Sequence, residues 1–403
     1  MNVKPSDRAS IRRTNLALVL RLLRDGGPRS RAKIADETGL PRPTITSLVA
    51  ELIELGLIRE GDSERDGSVG RPGLPVELDG TTVYGLGIEI NVDYLAAVIL
   101  DLRGSVTFER RIALDVRAAG VRLVLDQTAQ LIREAAESVR ERGHLVGAVL
   151  AAPGNVDTAT GVVGYAPNIG WTRVRAIDEL RHRLGPQAPA LLLENDAKLG
   201  ALAEYLVAAA SDIHDLIYVT GETGVGGGII IGGQLHRGAG GFAGEIGHMP
   251  LSPGGLPCAC GRRGCWETMV GLGALLSLAA DPEDPVHDPS LDVESRLVDL
   301  RRRADAGDPR TVSALARIAD DLALGVALLA DVLNPRAVVL GGWFAAFADH
   351  LLTPVREGVA RRVMAPDAGG CEVLPSTLGF TAPARGGACL ALDAVYRDPG
   401  DLR

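Results

Sequence analysis

Aromatic side chains are scarce in this chain of 403 residues: they make up 3% of it, whereas glycine occurs 50 times. A core with few rings must be filled by alanine, leucine and valine, and abundant glycine allows many tight turns. Such a composition favours an α/β fold over an all-β one. At about 100 to 200 residues per domain, the length predicts two or three cores.

Long apolar runs are also absent. The N-terminal residues MNVKPSDRASIRRTN are polar and lack the apolar segment of a signal peptide. The longest apolar helix candidate, from Leu322 to Leu333, contains Asp331 and is too short to span a bilayer. We therefore expect a cytoplasmic protein that has no membrane partner.

Cysteine is rare as well, with five residues, and in a cytoplasmic chain cysteines favour metal binding over disulfides. Cys258, Cys260 and Cys265 lie close together, and His248 precedes them across a loop rich in proline and glycine. One imidazole and three thiols suit a tetrahedral Zn²⁺, and the loop can bring the histidine onto the cysteines. The spacing predicts one structural zinc ion per chain.

A closed site with four protein ligands leaves no position for a reactive water. The carboxylates of Glu245 and Glu267, which such a zinc knot draws together, are therefore the expected working groups. The alternative is a reduced, metal-free loop with one or two buried cysteines. Cys371 and Cys389 lie outside the cluster and are expected to be core thiols.

Charge is distributed unevenly along the chain. The net charge is −9, but residues 1–50 contain ten Lys and Arg against four Asp and Glu, so this segment carries +6 and the remainder −15. Lysine occurs only at Lys4, Lys33 and Lys198, so arginine supplies nearly all the positive charge. This asymmetry is typical of a small DNA-binding head on an acidic ligand-binding body.

The N-terminal segment predicts a winged helix-turn-helix domain over residues 1–80. One amphipathic helix runs from Arg12 to Arg24, and a second, capped by Ser30, ends at Gly39. A third starts at Pro43 in its first turn and ends at Gly56. Its apolar face comprises Ile45, Leu48, Val49 and Leu52. Strands at 57–60 and 76–78 would flank a glycine-rich wing.

The start of the third helix would enter the major groove of double-stranded DNA. The expected contacts to bases and phosphates are those of Arg42, Thr44, Thr46 and Ser47. Arg71, in the predicted wing, would reach the minor groove. The alternative is a three-helix interaction domain whose polar residues only cover its outer face.

Beyond residue 83, an ordered set of motifs resembles the ROK family of sugar kinases and sugar-responsive repressors. The motifs include the zinc knot with its preceding GEIGH, and the others are PNIGW with Asn168, LENDAKLGALAE with Asn195 and Asp196, GETGVGGGI at 221–229 and VVLGGW at 338–343. Together they cover about residues 83–395. Each glycine-rich piece alone is a weak signal, and their order and spacing carry the resemblance.

The resemblance implies an α/β body with the two-lobed actin-like (RNase H-like) fold and the zinc knot. The first lobe would comprise residues 81–195 and about 381–403, and the second 196–380. By resemblance, six side chains would bind a sugar or sugar phosphate: Asn168, Asn195, Asp196, Glu245, His248 and Glu267. His248 would place one ring nitrogen on zinc and direct the other towards a sugar hydroxyl.

The nucleotide side departs from the family pattern. ROK kinases carry an Asp-x-Gly-Gly-Thr phosphate loop, in which the glycines let the backbone approach the phosphates. Here the equivalent residues are Glu89-Ile90-Asn91-Val92-Asp93, so both glycines have gained side chains and the threonine position is a carboxylate. An aspartate facing phosphates would repel them by about 1 to 4 kcal/mol.

These features predict a sugar-responsive transcriptional regulator, a repressor, that binds its operator as a homodimer or a dimer of dimers and has lost kinase activity. One alternative is an ATP-dependent sugar kinase with an accessory DNA-binding head, in which Asp196 is the general base. Another is a ligand-independent DNA-binding or scaffold protein. Asp196 does not discriminate between them, because a hydroxyl acceptor also serves binding alone.

Overall fold

The computed structural model describes residues 8–61, 74–208, 213–288, 291–364 and 371–402. Helices and strands alternate through most of this length, which makes the protein a mixed α/β one, as the composition predicted. Arg71 and the predicted wing around it lie outside the described residues. Among the described residues, no helix combines the length and the apolar character needed to cross a membrane.

The N-terminal head contains three helices and a three-stranded antiparallel sheet. The helices are α1 (Arg8–Gly26), α2 (Arg31–Thr38) and α3 (Arg42–Glu54), and the strands, in spatial order β1-β3-β2, are β1 (Arg29–Ser30), β2 (Ile58–Glu60) and β3 (Pro75–Leu78). Ser30 caps α2 by accepting a hydrogen bond from the Lys33 amide at 3.3 Å, and Gly39 ends it with a left-handed φ of 70°. The predicted helix-turn-helix is confirmed.

A first five-stranded sheet follows the head. Its strands, in spatial order β11-β7-β4-β5-β6, are β4 (Val83–Ile90), β5 (Tyr94–Asp101), β6 (Val106–Ala113), β7 (His144–Ala152) and β11 (Leu191–Asn195). Strands β4, β5 and β6 form two consecutive antiparallel hairpins, and β7 and β11 join the sheet in parallel. A small sheet beside it comprises β8 (Asn155–Asp157), β9 (Val162–Ala166) and β10 (Trp171–Val174).

Two helices cover one face of the first sheet: α4 (Val116–Val139) and α5 (Ala176–Leu184). Helix α4 is interrupted at Gly120, whose φ of 72° is left-handed, so the regular helix begins after that glycine.

A second five-stranded sheet has the order β14-β13-β12-β15-β16. Its strands are β12 (Leu216–Gly221), β13 (Val225–Ile231), β14 (Gln234–Leu235), β15 (Ala337–Gly342) and β16 (Glu372–Pro375). The helices around it are α6 (Asp196–Ala208), α7 (Glu267–Val270), α8 (Leu272–Ala279), α9 (Val293–Asp305), α10 (Pro309–Leu333), α11 (Trp343–Ala346) and α12 (Ala348–Ala360). The long apolar helix α10 was predicted, and it packs in the largest hydrophobic cluster.

The last helix, α13 (Ala382–Arg397), returns to the first sheet. A Cβ at Gly87 of β4 would lie 1.7 Å from the Ala384 carbonyl oxygen, and one at Gly85 would lie 2.4 Å from that of Ala388. The two glycines therefore allow α13 to pack directly on the strand. The expected return of the C-terminal helix is observed, whereas the predicted domain limits themselves stay a prediction.

Candidate functional site

His248, Cys258, Cys260 and Cys265 form a compact cluster of potential metal ligands. Their ligand atoms all lie within 4.8 Å of one another. The Cys258 Sγ lies 3.6 Å from the His248 Nδ1, and the Cys260 Sγ lies 3.6 Å from the Cys265 Sγ. Ligands on one tetrahedral Zn²⁺ would be separated by about 3.5 to 3.8 Å, because the bonds measure ~2.0–2.3 Å. The four residues therefore fit a metal ion of this kind.

Local backbone structure builds this cluster. The Cys258 amide donates to the Arg262 carbonyl at 2.8 Å, which closes a tight loop around Cys260. Gly264, with φ of 69°, crosses Ser252 so closely that a Cβ there would lie 1.7 Å from the Ser252 carbonyl oxygen. The Arg262 guanidinium lies 3.5 Å from the Cys260 Sγ and favours the thiolate form that binds metals.

All six predicted sugar-binding residues line one cavity in the cleft between the two five-stranded sheets. They are Asn168, Asn195, Asp196, Glu245, His248 and Glu267. The cavity measures about 100 Å³. Ligand pockets usually exceed ~300 Å³, so a sugar would have to widen this cleft on entry.

Asn168 and Glu267 approach each other from opposite sides of the cleft. Asn168 lies in the short turn Pro167–Ile169, and Glu267 is the first residue of α7. A Cβ at Gly224, between them, would lie 2.9 Å from the Glu267 Oε2 and 3.1 Å from the Asn168 Nδ2. Gly224 therefore leaves open the space in which a hydroxyl could meet an acceptor and a donor.

His248 connects the metal cluster to the cavity. It lies in the turn Ile246–His248, and its Nδ1 faces the cysteines, which leaves the Nε2 for the cavity. The Glu267 Oε1 lies 3.7 Å from the His248 Nδ1 and 2.7 Å from the Cys258 Sγ, so Glu267 stands between the cluster and the cavity. Among the described residues, the Glu245 carboxylate makes no hydrogen bond, and its side chain is exposed.

Asn195 has a structural task that the sequence did not predict. Its Oδ1 accepts a hydrogen bond from the Lys198 amide at 3.0 Å, which caps α6, and its Nδ2 donates to the Gly154 carbonyl at 3.1 Å. Both ends of its amide are thus bound to protein, so its contact with a sugar would be made through remaining lone pairs or hydrogens.

Asp196 begins α6 and points into the cavity, with its Oδ1 accepting from the Ala197 amide at 2.7 Å. Burial, and secondarily the nearby Glu222, raises its pKa to about 8. At neutral pH this carboxyl is therefore mostly protonated, and it can donate a hydrogen bond as well as accept one.

The altered phosphate loop faces the glycine-rich loop at 221–228 across the cleft. The Thr223 hydroxyl donates to the Asp93 Oδ2 at 3.5 Å. Burial raises the pKa of Asp93, which Arg296 and Thr223 partly oppose. Thr223 is thus engaged by the carboxylate that stands at the threonine position of the altered phosphate loop.

A second contact across the cleft joins Asn91 and Glu222. The Asn91 Nδ2 donates both to the Glu222 Oε2 and to the Oε1 of the fully buried Glu89, the latter at 3.0 Å. The Tyr94 hydroxyl donates to the same Glu89 oxygen at 2.9 Å. Burial and the neighbouring Glu222 hold the pKa of Glu89 well above its usual range. Side chains thus occupy the place where the resemblance puts nucleotide phosphates.

The sequence did not predict the contacts that Glu222 and Lys198 make. Glu222 contacts a residue 131 positions away, and no spacing rule predicts such a pair. Lys198 is buried in α6, and its Nζ donates to the Gly241 carbonyl, which ties the loop before Glu245 to that helix. A lysine on an apolar helix face, in a chain with only three lysines, was the available signal.

Three glycines of the two glycine-rich motifs, at 221–229 and 338–343, have packing roles. A Cβ at Gly227 would lie 2.5 Å from the Ile246 Cδ1, and one at Gly228 would lie 2.4 Å from the Ala201 Cβ. At Gly341 it would meet the Tyr218 hydroxyl at 2.2 Å. These positions require glycine with or without a nucleotide, so their presence does not indicate ATP binding.

The predicted DNA contacts lie at the start of α3. Arg42, Thr46 and Ser47 are exposed, and Thr44 is half-buried, on the side of α3 away from its buried face. The Ser47 Oγ accepts a hydrogen bond from Arg12 at 3.1 Å, and Arg12 also pairs with Glu51 at 2.5 Å. The polar start of α3 is therefore open to a ligand, and Arg12 adds a second cation there.

Comparisons with known proteins agree with this architecture. Residues 85–394 match the ROK family and residues 17–67 match the MarR family. The xylose repressor of Bacillus spizizenii is 29% identical over 391 residues, which cover 96% of this chain and 97% of that protein. The glucokinase of Halalkalibacterium halodurans is 30% identical over 312 residues, covering 76% of this chain and 94% of that enzyme.

One solved structure, a ROK family transcriptional regulator described as a homologue of the E. coli MLC protein, superimposes with a TM-score of 0.74 at 23% identity. It covers 96% of this chain, and this chain covers 97% of it, so the fold is shared from the head to the C-terminal helix. This chain belongs to the ROK family, and its N-terminal segment is a MarR-like winged helix domain.

Proposed function

We propose that this protein is a sugar-responsive transcriptional repressor, which binds an operator through its head and a sugar or sugar phosphate in the cleft. The observation that carries the proposal is that the six predicted sugar-binding side chains line one cavity, beside a phosphate loop filled by Asn91 and Asp93. The full-length similarity to a xylose repressor supports it, because that similarity includes the head.

In this proposal the protein has no kinase activity. A nucleotide γ-phosphate would have to displace Asp93 from Thr223 and lie beside that carboxylate, at a repulsive cost of about 1 to 4 kcal/mol. Asp196 would serve as a hydroxyl partner for the sugar, and its raised pKa suits hydrogen bonding better than proton abstraction at neutral pH.

We further propose that the cluster binds one structural Zn²⁺. Three thiolates and one imidazole, spaced for a tetrahedron, are the ligand set that zinc prefers. The bound metal would fix the His248 ring so that its Nε2 faces the sugar. Glu245 and Glu267, which flank the cluster, would accept hydrogen bonds from sugar hydroxyls.

In the head, the start of α3 would contact bases and phosphates in the major groove through Arg42, Thr44, Thr46 and Ser47. Arg71 would reach the adjacent minor groove. A single recognition helix covers only one half-site, so we propose a homodimer or a dimer of dimers on a two-fold operator. Sedimentation that shows only a monomer on a palindromic operator would contradict this assembly.

A second candidate function is an ATP-dependent sugar kinase with a DNA-binding head. The similarity of the body to a glucokinase and the position of Asp196 in the cavity favour it. It requires Asp93 and Asn91 to leave the cleft when ATP binds.

A thermal-shift screen of the full-length, zinc-loaded protein tests both candidates. Common sugars and their 6-phosphates are added with and without Mg-ATP. A ligand at 100 times its Kd should stabilise the fold by about 2.7 kcal/mol. We expect a shift with one sugar that Mg-ATP leaves unchanged. Release of ADP that depends on the sugar and is abolished by Asp196→Asn would instead establish the kinase, and no shift with any sugar would favour a ligand-independent DNA-binding protein.

A further inference from the structure

A second cavity lies at the junction of the head and the body, away from the sugar cleft. It measures about 810 Å³ and is lined by α1 of the head, the turn after β5, helix α6, the β13–β14 turn and α13. None of the residues discussed above for sugar binding, metal binding or the phosphate side lines it. Its volume is within the ~300 to 1,000 Å³ of typical small-molecule pockets.

The wall of this junction cavity is rich in arginine. Six guanidinium groups line it, against the three carboxylates of Asp25, Asp101 and Asp393. The arginines are Arg21, Arg24, Arg103, Arg237, Arg385 and Arg397. This excess of positive charge occurs in a chain whose net charge is −9, so it is a local feature and does not follow from overall composition.

Two of these arginines retain capacity for a ligand. Among the described residues, Arg21 pairs with no carboxylate, and its only hydrogen bond is from Nε to the Ala17 carbonyl of its own helix. Arg385 lies 3.8 Å from Glu109, longer than a hydrogen bond, and donates to the neutral Thr381 hydroxyl. The other four have closer partners: Arg24 pairs with Asp25, Arg103 with Glu77, Arg237 with Glu194 and Arg397 with Asp393.

Apolar side chains form the rest of the wall. Leu202 and Leu206 of α6 and Leu390 and Leu392 of α13 line the cavity. Tyr396 is held there by a hydrogen bond from its hydroxyl to the Leu102 carbonyl at 2.6 Å. A ligand that fits must therefore combine a small organic body with an anionic group.

We propose that the junction cavity binds a small organic phosphate monoester. A phosphate carries about −1.5 to −2 charges at neutral pH, and guanidinium groups match its oxygens as paired donors. Arg21 on α1 and Arg385 on α13 would hold the phosphate, and the leucine wall would contact the organic part.

Such a ligand would touch the head and both halves of the body at once, because α1, α6 and α13 all contribute to the wall. It would therefore fix the head relative to the body and change DNA affinity through contacts different from those of the sugar. This consequence for DNA rests on the proposed function, whereas the binding itself does not.

Calorimetric titration of the full-length, zinc-loaded protein tests the binding. The probes are inorganic phosphate, glycerol 3-phosphate and glucose 6-phosphate, with glycerol and glucose as neutral counterparts. We expect at least one phosphate ester to bind, and the double substitution Arg21→Gln with Arg385→Gln to weaken it about tenfold or more, since two charge-assisted contacts are lost. Val207→Trp, which adds bulk at the cavity edge, should also weaken binding.

Two controls make the result specific. Arg122→Gln removes an exposed arginine outside the cavity and should leave the affinity unchanged. Asn168→Ala with Glu267→Gln alters the sugar cleft and should leave the binding of glycerol 3-phosphate, which has no sugar ring, unchanged. The proposal is overturned if no phosphate ester binds at millimolar concentration, or if binding survives both cavity variants. Loss of binding in the cleft variant alone would place the phosphate in the sugar site and overturn it equally.

A separate readout covers the effect on DNA. Anisotropy of a labelled operator, selected from random duplexes, is measured with and without the phosphate ester. If calorimetry shows binding at the cavity while DNA affinity stays constant, the site stands and its regulatory role fails. If no duplex is selected at all, the proposed repressor function fails independently of the cavity.

Discussion

Asp196 is the residue at which binding and catalysis would require opposite protonation states. Its carboxyl lies at the start of α6, where the positive helix end favours the anion, yet burial and Glu222 raise its pKa to about 8. A general base for phosphoryl transfer needs the anion, whereas a carboxylic acid can both donate to and accept from a sugar hydroxyl. The surroundings of Asp196 therefore favour the binding role at neutral pH.

This raised pKa predicts a pH dependence of stability. The unfolded carboxyl titrates near 3.8 and the folded one near 8, so its stabilising contribution is complete below about pH 4 and is lost as the pH rises to about 8. Asp196→Asn does not titrate. The variant should therefore gain unfolding free energy relative to wild type as the pH rises from about 5 to about 8, by at most about 4 kcal/mol.

Urea unfolding of both proteins between about pH 5 and pH 8 measures this difference. Asp157→Asn is the matched control, because hydrogen bonds from Thr160 lower the pKa of Asp157 and its contribution is lost only at more acidic pH. Its difference from wild type should stay constant over the range. Parallel curves for Asp196→Asn and wild type would show that the carboxyl of Asp196 is ionised in the folded protein.

A substitution at Gly224 tests the proposed position of the sugar. Gly224→Ala would put a methyl group 2.9 Å from the Glu267 Oε2 and 3.1 Å from the Asn168 Nδ2, in the space assigned to the sugar. We expect sugar affinity to fall about tenfold or more, because two hydrogen-bonding groups are displaced, while the melting temperature changes little. Gly273→Ala is the control, since a Cβ there meets nothing within 4 Å. If Gly224→Ala binds the sugar with unchanged affinity, the sugar does not occupy the space between Glu267 and Asn168.

Residue roles were only partly predictable. The six side chains that the sequence motifs singled out line one cavity, because they lie at the ends of strands and helices that meet in this fold. Spacing alone did not show that Asn195 uses both ends of its amide to cap α6 and hold Gly154. That role depends on a carbonyl 41 positions away, which only the tertiary structure supplies.

Among the elements, the loop that carries the potential metal ligands was the easiest to predict, because its four candidate ligands fall within 18 residues and local turns bring them together. The helix-turn-helix was similarly local, with Ser30, Gly39 and Pro43 marking helix ends. The contacts between Asp93 and Thr223 and between Asn91 and Glu222 join elements 130 positions or more apart. Their side chains alone predicted a damaged phosphate loop but not its new partners.

Substitution of one candidate metal ligand tests this loop. Cys258→Ser should reduce the metal content from about one equivalent of zinc per chain to well below one and lower the melting temperature, because metal binding and loop folding are coupled. His248 and Glu267 would lose their fixed orientation, so sugar affinity should fall as well.

Metal analysis of protein purified without chelator, combined with thermal unfolding, measures this effect. Cys371→Ser, outside the cluster, serves as the control and should keep the metal. Equal metal content in Cys258→Ser and wild type would contradict the ligand assignment. Lost metal with unchanged sugar affinity would show that the metal does not organise the cleft.

In the whole molecule, the head and the body share one hydrophobic cluster. Leu16 and Leu20 of α1 belong to the same cluster as Leu100 of β5 and Leu392 and Tyr396 of α13. The Arg24 guanidinium also lies 4.8 Å above the Tyr396 ring. A movement of α13 would therefore reach the head through packed side chains, which gives a physical route from ligand to DNA.

The two halves of the body are joined by polar contacts between their side chains. Arg111 of β6 pairs with Glu294 at 2.7 Å and with Asp292 at 3.5 Å at the start of α9, and Asn91 binds Glu222. Asn91 and Glu222 line the cavity of about 100 Å³, so we expect their contact to open when a sugar enters. We expect Asn91→Ala with Arg111→Gln to favour the open form and to speed sugar association about tenfold, since hydrogen bonds to charged groups contribute about 1.5 to 3 kcal/mol each.

Stopped-flow measurement of sugar association, together with the radius of gyration from small-angle scattering, tests this expectation. Arg110→Gln is the matched control: Arg110 is the neighbouring residue of β6 but pairs with Glu134 of α4, on its own side of the cleft. The double variant should be more expanded without ligand and should bind faster, whereas the control should match wild type. Equal association rates in all three proteins would mean that the cleft admits the sugar without opening. Any effect of the sugar on the head would then have to arise from contacts within the closed form.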